Sequence, residues 1–152
     1  MYKLYAALFT AFLLLTSCGS GGEEESESFR LDGEGIEVEG AWARPGSEGR
    51  MSAAYLLITN FDETADTLAS LESDASQLTE LHESYEMEEG MSGMREVELL
   101  VIPPRSTVRL EPGGLHVMLI QLLHNYSEGD VIELTLEFTG GQTIPVTVPI
   151  RP

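Results

Sequence analysis

Cysteine is almost absent from this chain. Its 152 residues contain one cysteine, Cys18, and one tryptophan, Trp42. A single cysteine excludes an internal disulfide framework and any zinc or iron–sulfur site built from several thiolates. Histidine, methionine, carboxylates and the backbone therefore remain as the groups that could bind a metal. The length predicts one domain, and the hydrophobic fraction of 42% is sufficient to build its core.

Basic residues are also scarce. The chain has 8 Lys+Arg against 26 Asp+Glu, which gives a formal net charge of −18. Such a charge repels the phosphate backbone of nucleic acids and the anionic surface of a membrane. We therefore expect an acidic module that has no nucleic-acid partner.

The N-terminus has the pattern of an export signal. Lys3 precedes an apolar run from Leu4 to Leu15, which is too short for a stable membrane-spanning helix. The segment Leu15-Thr16-Ser17-Cys18 resembles a bacterial lipobox, in which the cysteine becomes the lipidated first residue of the mature protein. The alternative is an ordinary signal peptide with Cys18 near its end by chance.

Three regions are predicted along the chain. Residues 1–17 are expected to be the lipoprotein signal peptide, and residues 18–35 the lipidated cysteine with a flexible acidic tether, because this Gly- and Glu-rich stretch cannot pack a core. Residues 36–152 are expected to form the folded domain. The protein would then be exported, face the periplasm or the cell exterior, and touch the membrane only through its lipid anchor.

The sequence of the folded region indicates an all-β structure. Short apolar runs alternate with turn residues roughly every 8–12 positions, which is typical of a sandwich or barrel. No segment keeps a helical apolar period for three turns, although Asp74–Gln77 could form one helical turn. The predicted strands are Ile36–Arg44, Ala53–Asn60, Asp66–Ser73, Thr79–Tyr85, Met94–Ile102, Ser106–Leu110, Leu115–Leu122, Val131–Phe138 and Thr143–Pro149. We therefore predict a β-sandwich of seven to nine strands.

Histidines and methionines gather in one part of the sequence. All three histidines and most methionines outside the N-terminal segment fall between positions 82 and 124: His82, His116, His124, Met87, Met91, Met94 and Met118. A Gly- and Glu-rich connection, Glu86–Gly93, offers a methionine little core to fill. Each residue alone is also compatible with ordinary packing, in which a methionine fills a gap at an edge.

The pair His116 and Met118 is the more specific signal. Residues two apart on a strand share a face, so an imidazole and a thioether lie side by side. If His82 and Met94 fold over the same end, two imidazoles and two thioethers converge. Thioethers select Cu(I) over hard cations and zinc, and imidazoles can also hold Cu(II). A blue-copper site would need a cysteine thiolate in the domain, and a zinc hydrolase would not use methionine.

These residues resemble the PCuAC-type periplasmic copper chaperones. The signature of that family is a His, ten residues, a Met, twenty-one residues, and His-x-Met. Here twenty-one residues separate Met94 from His116-Val117-Met118, whereas eleven separate His82 from Met94. The extra residue leaves both Met91 and Met94 as candidates for the loop ligand, and the spacing to His116 favours Met94. Further similarity lies in Gly40–Pro45, Ala53–Leu56, Glu80–Glu83 and Leu110–Leu119.

The resemblance implies a cupredoxin-like Greek-key β-sandwich that binds Cu(I) through His82, Met94, His116 and Met118. It also implies delivery of copper to cytochrome c oxidase, toward its CuA centre, with an oxidase subunit or a Sco-type protein as recipient.

Outside that ligand set, Met51, Met87 and Met91 are auxiliary candidates for capture or transfer, although Met51 could simply pack beside Ala53. We expect Trp42 in the core, or at most as a wall of the site, and His124 in a surface turn.

Two other interpretations remain open. The chain could be a copper-sequestering resistance or buffer lipoprotein without a dedicated recipient, or a sandwich for adhesion that binds no metal. An enzyme is not expected, because the spacings of the sequence show no catalytic triad, phosphate loop or paired-carboxylate cleft.

Overall fold

The structure is a computed structural model that describes residues 33–87 and 90–152. None of these residues lies in an α-helix, and none of them forms a helix that could cross a membrane. The predicted signal peptide and Cys18 lie outside the described residues. The described strands are β1 (Ile36–Ala43), β2 (Ser52–Asn60), β3 (Asp66–Ser73), β4 (Ser76–Glu86), β5 (Ser92–Glu96), β6 (Leu100–Ile102), β7 (Ser106–Leu110), β8 (Leu115–Leu122), β9 (Val131–Phe138) and β10 (Thr143–Pro149).

The strands form two antiparallel sheets. The six-stranded sheet has the order β1-β2-β8-β4-β5, with β7 also pairing with β2. The four-stranded sheet has the order β10-β9-β3-β6. Consecutive strands pair in β1-β2, β4-β5 and β9-β10, whereas the other pairs join strands that are distant in sequence.

Alternating hydrophobicity decides which side of each strand faces the core. Along β9, Ile132, Leu134, Leu136 and Phe138 are buried while the intervening residues face solvent or are half-buried. This is the alternation that the sequence predicts for a sheet with one solvated face. A short turn containing Gly141, whose φ is +92°, joins β9 to β10 as the predicted hairpin. Side chains from both sheets meet in one continuous core.

Two local expectations differ from the structure. The predicted strand Met94–Ile102 is divided, because the chain leaves β4 after β5 and joins β3 of the other sheet as β6. A segment that changes sheets must interrupt its ladder, and the number of strands among the described residues is therefore ten rather than nine. The possible helical turn at Asp74–Gln77 is instead a tight turn into β4, in which Asp74 accepts a hydrogen bond from the Glu133 amide (2.9 Å).

Candidate metal centre

The predicted ligands lie on three neighbouring strands of the six-stranded sheet. His82 on β4 is directly opposite His116 on β8, and Met118 is opposite Glu80. On the other side of β4, Met94 of β5 pairs with the residue two positions after His82. Paired residues share a face of the sheet, as do residues two apart on one strand. All four predicted ligands therefore lie on the outer face, away from the hydrophobic core.

The two histidines are adjacent and shielded from water. Their ring centroids are 6.1 Å apart, and His116 is only 4% exposed although it lies on the outer face. The ring of Tyr55 on β2 lies 6.5 Å from that of His116, and Trp42 packs against Tyr55 at 4.6 Å. These aromatic rings cover the side of the histidine pair that faces β1.

Trp42 is half-buried on this outer face rather than in the core cluster. The pairing of β1 with β2 shifts register between Glu39 and Trp42, and such a bulge re-aims the side chains that follow it. The sequence allowed Trp42 to lie either in the core or in a wall of the site, and the structure agrees with the second interpretation.

Hydrogen bonds fix which nitrogen of each histidine carries a proton. Nδ1 of His116 is 3.0 Å from the carbonyl oxygen of Gly114. A carbonyl can only accept, so Nδ1 donates and the lone pair of Nε2 is free. Nε2 of His82 is 2.8 Å from a carboxylate oxygen of Glu80, so Nε2 donates there. Nδ1 of His82 is buried and has no hydrogen-bond partner among the described residues. Each imidazole thus retains one nitrogen for a metal ion.

The role of Glu80 is absent from the sequence interpretation. The available signal is its position two residues before His82, which places both side chains on the same face of β4. The sequence cannot show that Glu80 contacts the ring of His82 rather than solvent. Glu83, one residue beyond His82, lies on the opposite face and pairs with Arg95.

Met118 lies beside the histidine pair and is half-buried. Its partner across the ladder to β2 is Ala53, a small residue that leaves space above the sheet. Met51 is 63% exposed, and it lines with Met118 a cavity of about 210 Å³. Met51 is therefore not packed as a core residue, and it borders the same cavity as Met118.

Met94 is 58% exposed, near the free edge of the sheet. It is a diagonal neighbour of His82, at a Cα separation of about 7–8 Å. Met94 and Met118 lie two strands apart across the sheet and four residues apart along the strand direction. On a flat sheet this places their Cα atoms about 16 Å apart. His82, His116 and Met118 therefore lie together on the central strands β4 and β8, whereas Met94 lies on the edge strand β5.

The remaining candidates lie farther away. Met87 and Met91 flank the end of the β4–β5 hairpin, where the Met87 amide donates to the Met91 carbonyl oxygen (2.7 Å). Met87 is five residues beyond His82, about 16 Å along an extended strand. His124 is exposed after β8 and packs edge-on against Tyr126, as expected for a surface position.

Tyr126, the ring against which His124 packs, has a raised pKa. Partial burial and the nearby charges of Asp74 and Asp130 cause this shift.

The donor set is unusual for hard cations or zinc. Within residues 33–87 and 90–152, no group of three or more His, Cys, Asp or Glu side chains is arranged to hold a metal ion. Magnesium, calcium and zinc sites are built from such groups. What the outer face offers instead is two imidazole nitrogens together with neutral thioethers, a set suited to a soft monovalent ion.

Comparison with known proteins identifies the family. The model of the LpqE-like lipoprotein family matches residues 36–150. A similar protein is Lxx21020 of Leifsonia xyli subsp. xyli (strain CTCB07), which is described as a lipoprotein. It is 32% identical to this chain over 155 residues, covering 97% of this chain and 89% of its own length.

Solved structures of PCuAC domains share the fold. The Cu(I) form of DR1885 from Deinococcus radiodurans is 27% identical, with a TM-score of 0.61 over 82% of this chain and 85% of its own. The copper-bound PCuAC domain from PmoF2 is 24% identical, with a TM-score of 0.63 over 76% of this chain and 92% of its own. The predicted cupredoxin-like β-sandwich is thereby confirmed. The chain belongs to the LpqE-like family of lipoproteins, and this family is of the PCuAC type.

Proposed function

We propose that this protein is an extracytoplasmic copper chaperone that binds Cu(I) through His82, His116, Met118 and Met94 and releases it to an acceptor. One observation carries the proposal: the two histidines lie directly opposite each other, each keeps one ring nitrogen outside its hydrogen bond, and Met118 follows His116 by two residues on the same face of β8. The similarity to the Cu(I) form of DR1885 supports the same metal. The activity is binding and release rather than catalysis.

The chemistry of the ligands favours the monovalent ion. Thioethers are soft and neutral, and in an oxidising compartment they supply sulfur without forming disulfides. Imidazoles strengthen the site and can also hold Cu(II), so the oxidised ion is a secondary ligand. Four neutral ligands leave the charge of +1 on the ion, which the carboxylate of Glu80, hydrogen-bonded to His82, partly offsets.

Met94 is proposed to join last and leave first. Two extended methionine side chains and two metal–sulfur bonds of roughly 2.3 Å reach across about 13 Å, less than the separation of Met94 and Met118 on a flat sheet. Bending of the β4–β5 hairpin toward β8 would close that gap. A site with three fixed ligands and one on an edge hairpin can retain copper and still pass it on by stepwise ligand exchange.

The other methionines fit a role in capture. Met51 shares a cavity with Met118, so it could hold an ion that is arriving or leaving. Met87 and Met91 lie at the exposed hairpin end, where they could collect copper before Met94 does. Between the two candidates for the loop ligand, we propose Met94, because it is nearer to His82 along the hairpin.

An anchored protein would suit delivery. We propose that residues 1–17 are removed, that Cys18 carries the lipid and that residues 18–35 form a tether to the membrane outside the cytoplasm. A tether raises the effective concentration of the carrier near a membrane-bound recipient. The recipient proposed from the PCuAC resemblance is cytochrome c oxidase at its CuA centre, directly or through a Sco-type protein.

Competition with a chromophoric Cu(I) chelator tests copper binding on the purified full-length chain. We expect one tightly bound Cu(I), with a loss of at least about tenfold in affinity for His116→Ala and a smaller loss for Met94→Leu. His124→Ala, at a surface position outside the proposed site, is the control and should retain the affinity of the unmodified chain. X-ray absorption should show both nitrogen and sulfur neighbours. Uptake of no Cu(I), or an equal loss in the control, would refute the proposal.

Deletion of the gene tests the recipient. Delivery to the oxidase predicts lower oxidase activity in copper-poor medium, restored by added copper. Loss of survival in copper-rich medium alone would instead identify a sequestering buffer.

A further inference from the structure

Arginines are concentrated on one side of the site. The described residues contain six arginines: Arg44, Arg50, Arg95, Arg105, Arg109 and Arg151. Three of these surround one pair of aromatic rings. Arg44 lies over the ring of Tyr55 at 5.6 Å, Arg151 over the ring of Trp42 at 5.1 Å, and Arg109 lines a cavity of about 240 Å³ with both rings. We name this set (Trp42, Tyr55, Arg44, Arg109 and Arg151) the arginine–aromatic surface.

Backbone pairing brings the cluster together from distant parts of the sequence. A parallel bridge joins Ala43 to Ile150, and the Arg151 amide donates to the Ala43 carbonyl oxygen (2.9 Å). The residues that follow this bridged pair, Arg44 and Arg151, therefore lie side by side. Neither makes an ion pair within residues 33–87 and 90–152, although the chain has 26 acidic residues.

The aromatic contacts leave the guanidinium groups available. An arginine that stacks its plane on a ring retains donors at its edge, in the geometry that suits a carboxylate. Arg109 is 62% exposed, and its contact with Glu111 is long, at 3.9 Å. Tyrosine, tryptophan and arginine are the residues most enriched at the energetic centres of protein interfaces.

The cluster adjoins the copper ligands proposed above. Tyr55 contacts His116, and Arg44 lines the cavity that contains Met51 and Met118. On the opposite side of His82, the residues Glu80, Glu96 and Glu98 help to line a cavity of about 240 Å³. The site therefore lies between a surface with three arginines and one glutamate, Glu111, and a surface with three glutamates. This charge distribution can orient an approaching partner.

We propose that the arginine–aromatic surface is the docking surface for a copper-exchanging partner protein that presents carboxylates beside its own metal site. This inference rests on the proposed function, because it concerns where the partner approaches the copper. Tyr55 is only 5% exposed and supports this surface from below, so the partner contacts Trp42 and the three arginines above it. That contact brings the partner's ligands next to His116 and Met118. Its carboxylates replace the missing ion-pair partners of Arg44 and Arg151.

A protein fits this surface better than an anionic membrane does. At physiological salt, charges interact over about 8 Å, so a local acidic patch on a protein meets the three arginines without meeting most of the acidic residues. An extended anionic lipid surface would also face the acidic side of the site, and the net charge of −18 opposes such an approach.

Transfer of Cu(I) to synthetic acceptors tests the surface. The acceptors are two methionine-rich peptides of identical metal-binding sequence, one flanked by aspartates and one by serines. The donor is the Cu(I)-loaded full-length chain, either unmodified or as the double variant Arg44→Gln with Arg151→Gln. At about 0.15 M ionic strength, where charges more than about 8 Å apart are largely screened, we expect the double variant to transfer copper to the aspartate-flanked peptide about tenfold more slowly. Transfer to the serine-flanked peptide should be unchanged, and the difference should vanish near 1 M salt.

Arg105→Glu is the matched control. It changes the net charge by the same two units at a position that pairs with Glu63 and lies four residues before Arg109, about 13 Å along an extended strand. We expect it to reduce transfer by less than about twofold. If the double variant does not fold, Arg109→Gln serves instead, with an expected decrease of about threefold. The proposal is overturned if the control and the variants slow transfer equally, or if the variants transfer copper at the rate of the unmodified chain.

Two further measurements separate the causes of failure. The Cu(I) affinity of every variant is measured first by chelator competition; absence of binding to the unmodified chain refutes the proposed function, whereas intact binding with charge-independent transfer refutes the docking surface alone. Sedimentation with phosphatidylglycerol vesicles tests the lipid alternative. If the unmodified chain binds these vesicles and the double variant does not, the assignment to a protein partner is overturned.

Discussion

Substitution of Glu80 by glutamine should weaken copper binding without removing a ligand. Its carboxylate accepts a hydrogen bond from the protonated Nε2 of His82 at 2.8 Å, and 22% of the Glu80 side chain is exposed. Glutamine retains an acceptor oxygen but loses the charge that strengthens the bond and raises the donor strength of the imidazole. Such partners are commonly worth 10–100-fold in metal affinity. Because Glu80 is partly exposed, we expect the lower end, about tenfold or about 1.4 kcal/mol.

The assay is competition with a Cu(I) chelator at constant pH, and Glu96→Gln is the matched control. Glu96 is directly opposite His82 on β5, and its substitution by glutamine removes the same charge. Among the described residues, however, no hydrogen bond joins Glu96 to His82. We expect Glu96→Gln to change the affinity by less than about twofold. Equal losses in both variants would show that only the overall charge matters. Unchanged affinity in Glu80→Gln would refute the reasoning that the charge of this hydrogen-bond partner strengthens the binding of copper by His82.

Three further predictions concern stability. Burial raises the pKa of Asp66, but hydrogen bonds from Thr67, Gly140 and Thr139 outweigh it and hold that pKa below its ordinary value. The resulting stabilisation of the folded protein is complete above the pKa of Asp66 in the unfolded chain. It is lost as the pH falls through the pKa of Asp66 in the folded protein. Asp66→Asn should therefore cost about 1 kcal/mol at pH 7 and less below about pH 4 in urea titrations; a pH-independent difference would contradict this. Gly93→Ala places a Cβ 2.6 Å from the ring of Tyr85 and should lower both the melting temperature and the affinity for Cu(I), since the same hairpin carries Met94; no change in either would contradict it. Leu136→Ala, at a fully buried position, should cost about 3 kcal/mol of unfolding free energy, and a cost below about 1 kcal/mol would contradict the core assignment.

Much of the fold could be predicted from local sequence patterns. The alternation in Val131–Phe138 assigns both the strand and its buried face, because a strand repeats every two residues. The division of Met94–Ile102 between two sheets could not be predicted, since each half has ordinary strand composition and the break depends on which partner strand each half meets.

The candidate site was likewise predictable only in part from the sequence. His116 and Met118 are recognisable from sequence because two residues on one strand necessarily share a face. The position of His82 opposite His116 is a matter of register between β4 and β8, and no local rule sets the register of strands that are far apart in the chain. The same holds for the hydrogen bond from His82 to Glu80, which depends on side-chain geometry.

By itself the sequence determined the all-β character, the acidic charge and the shortage of thiols that leaves imidazole and thioether as the soft donors. These properties follow from composition and from patterns a few residues long. Only the tertiary structure decided that the two histidines face each other, that Met94 lies on an edge hairpin, and that Arg44 and Arg151 meet over Trp42 and Tyr55. Long-range strand pairing creates those neighbours, and the free energy that selects it comes from burial of the whole core rather than from any single segment.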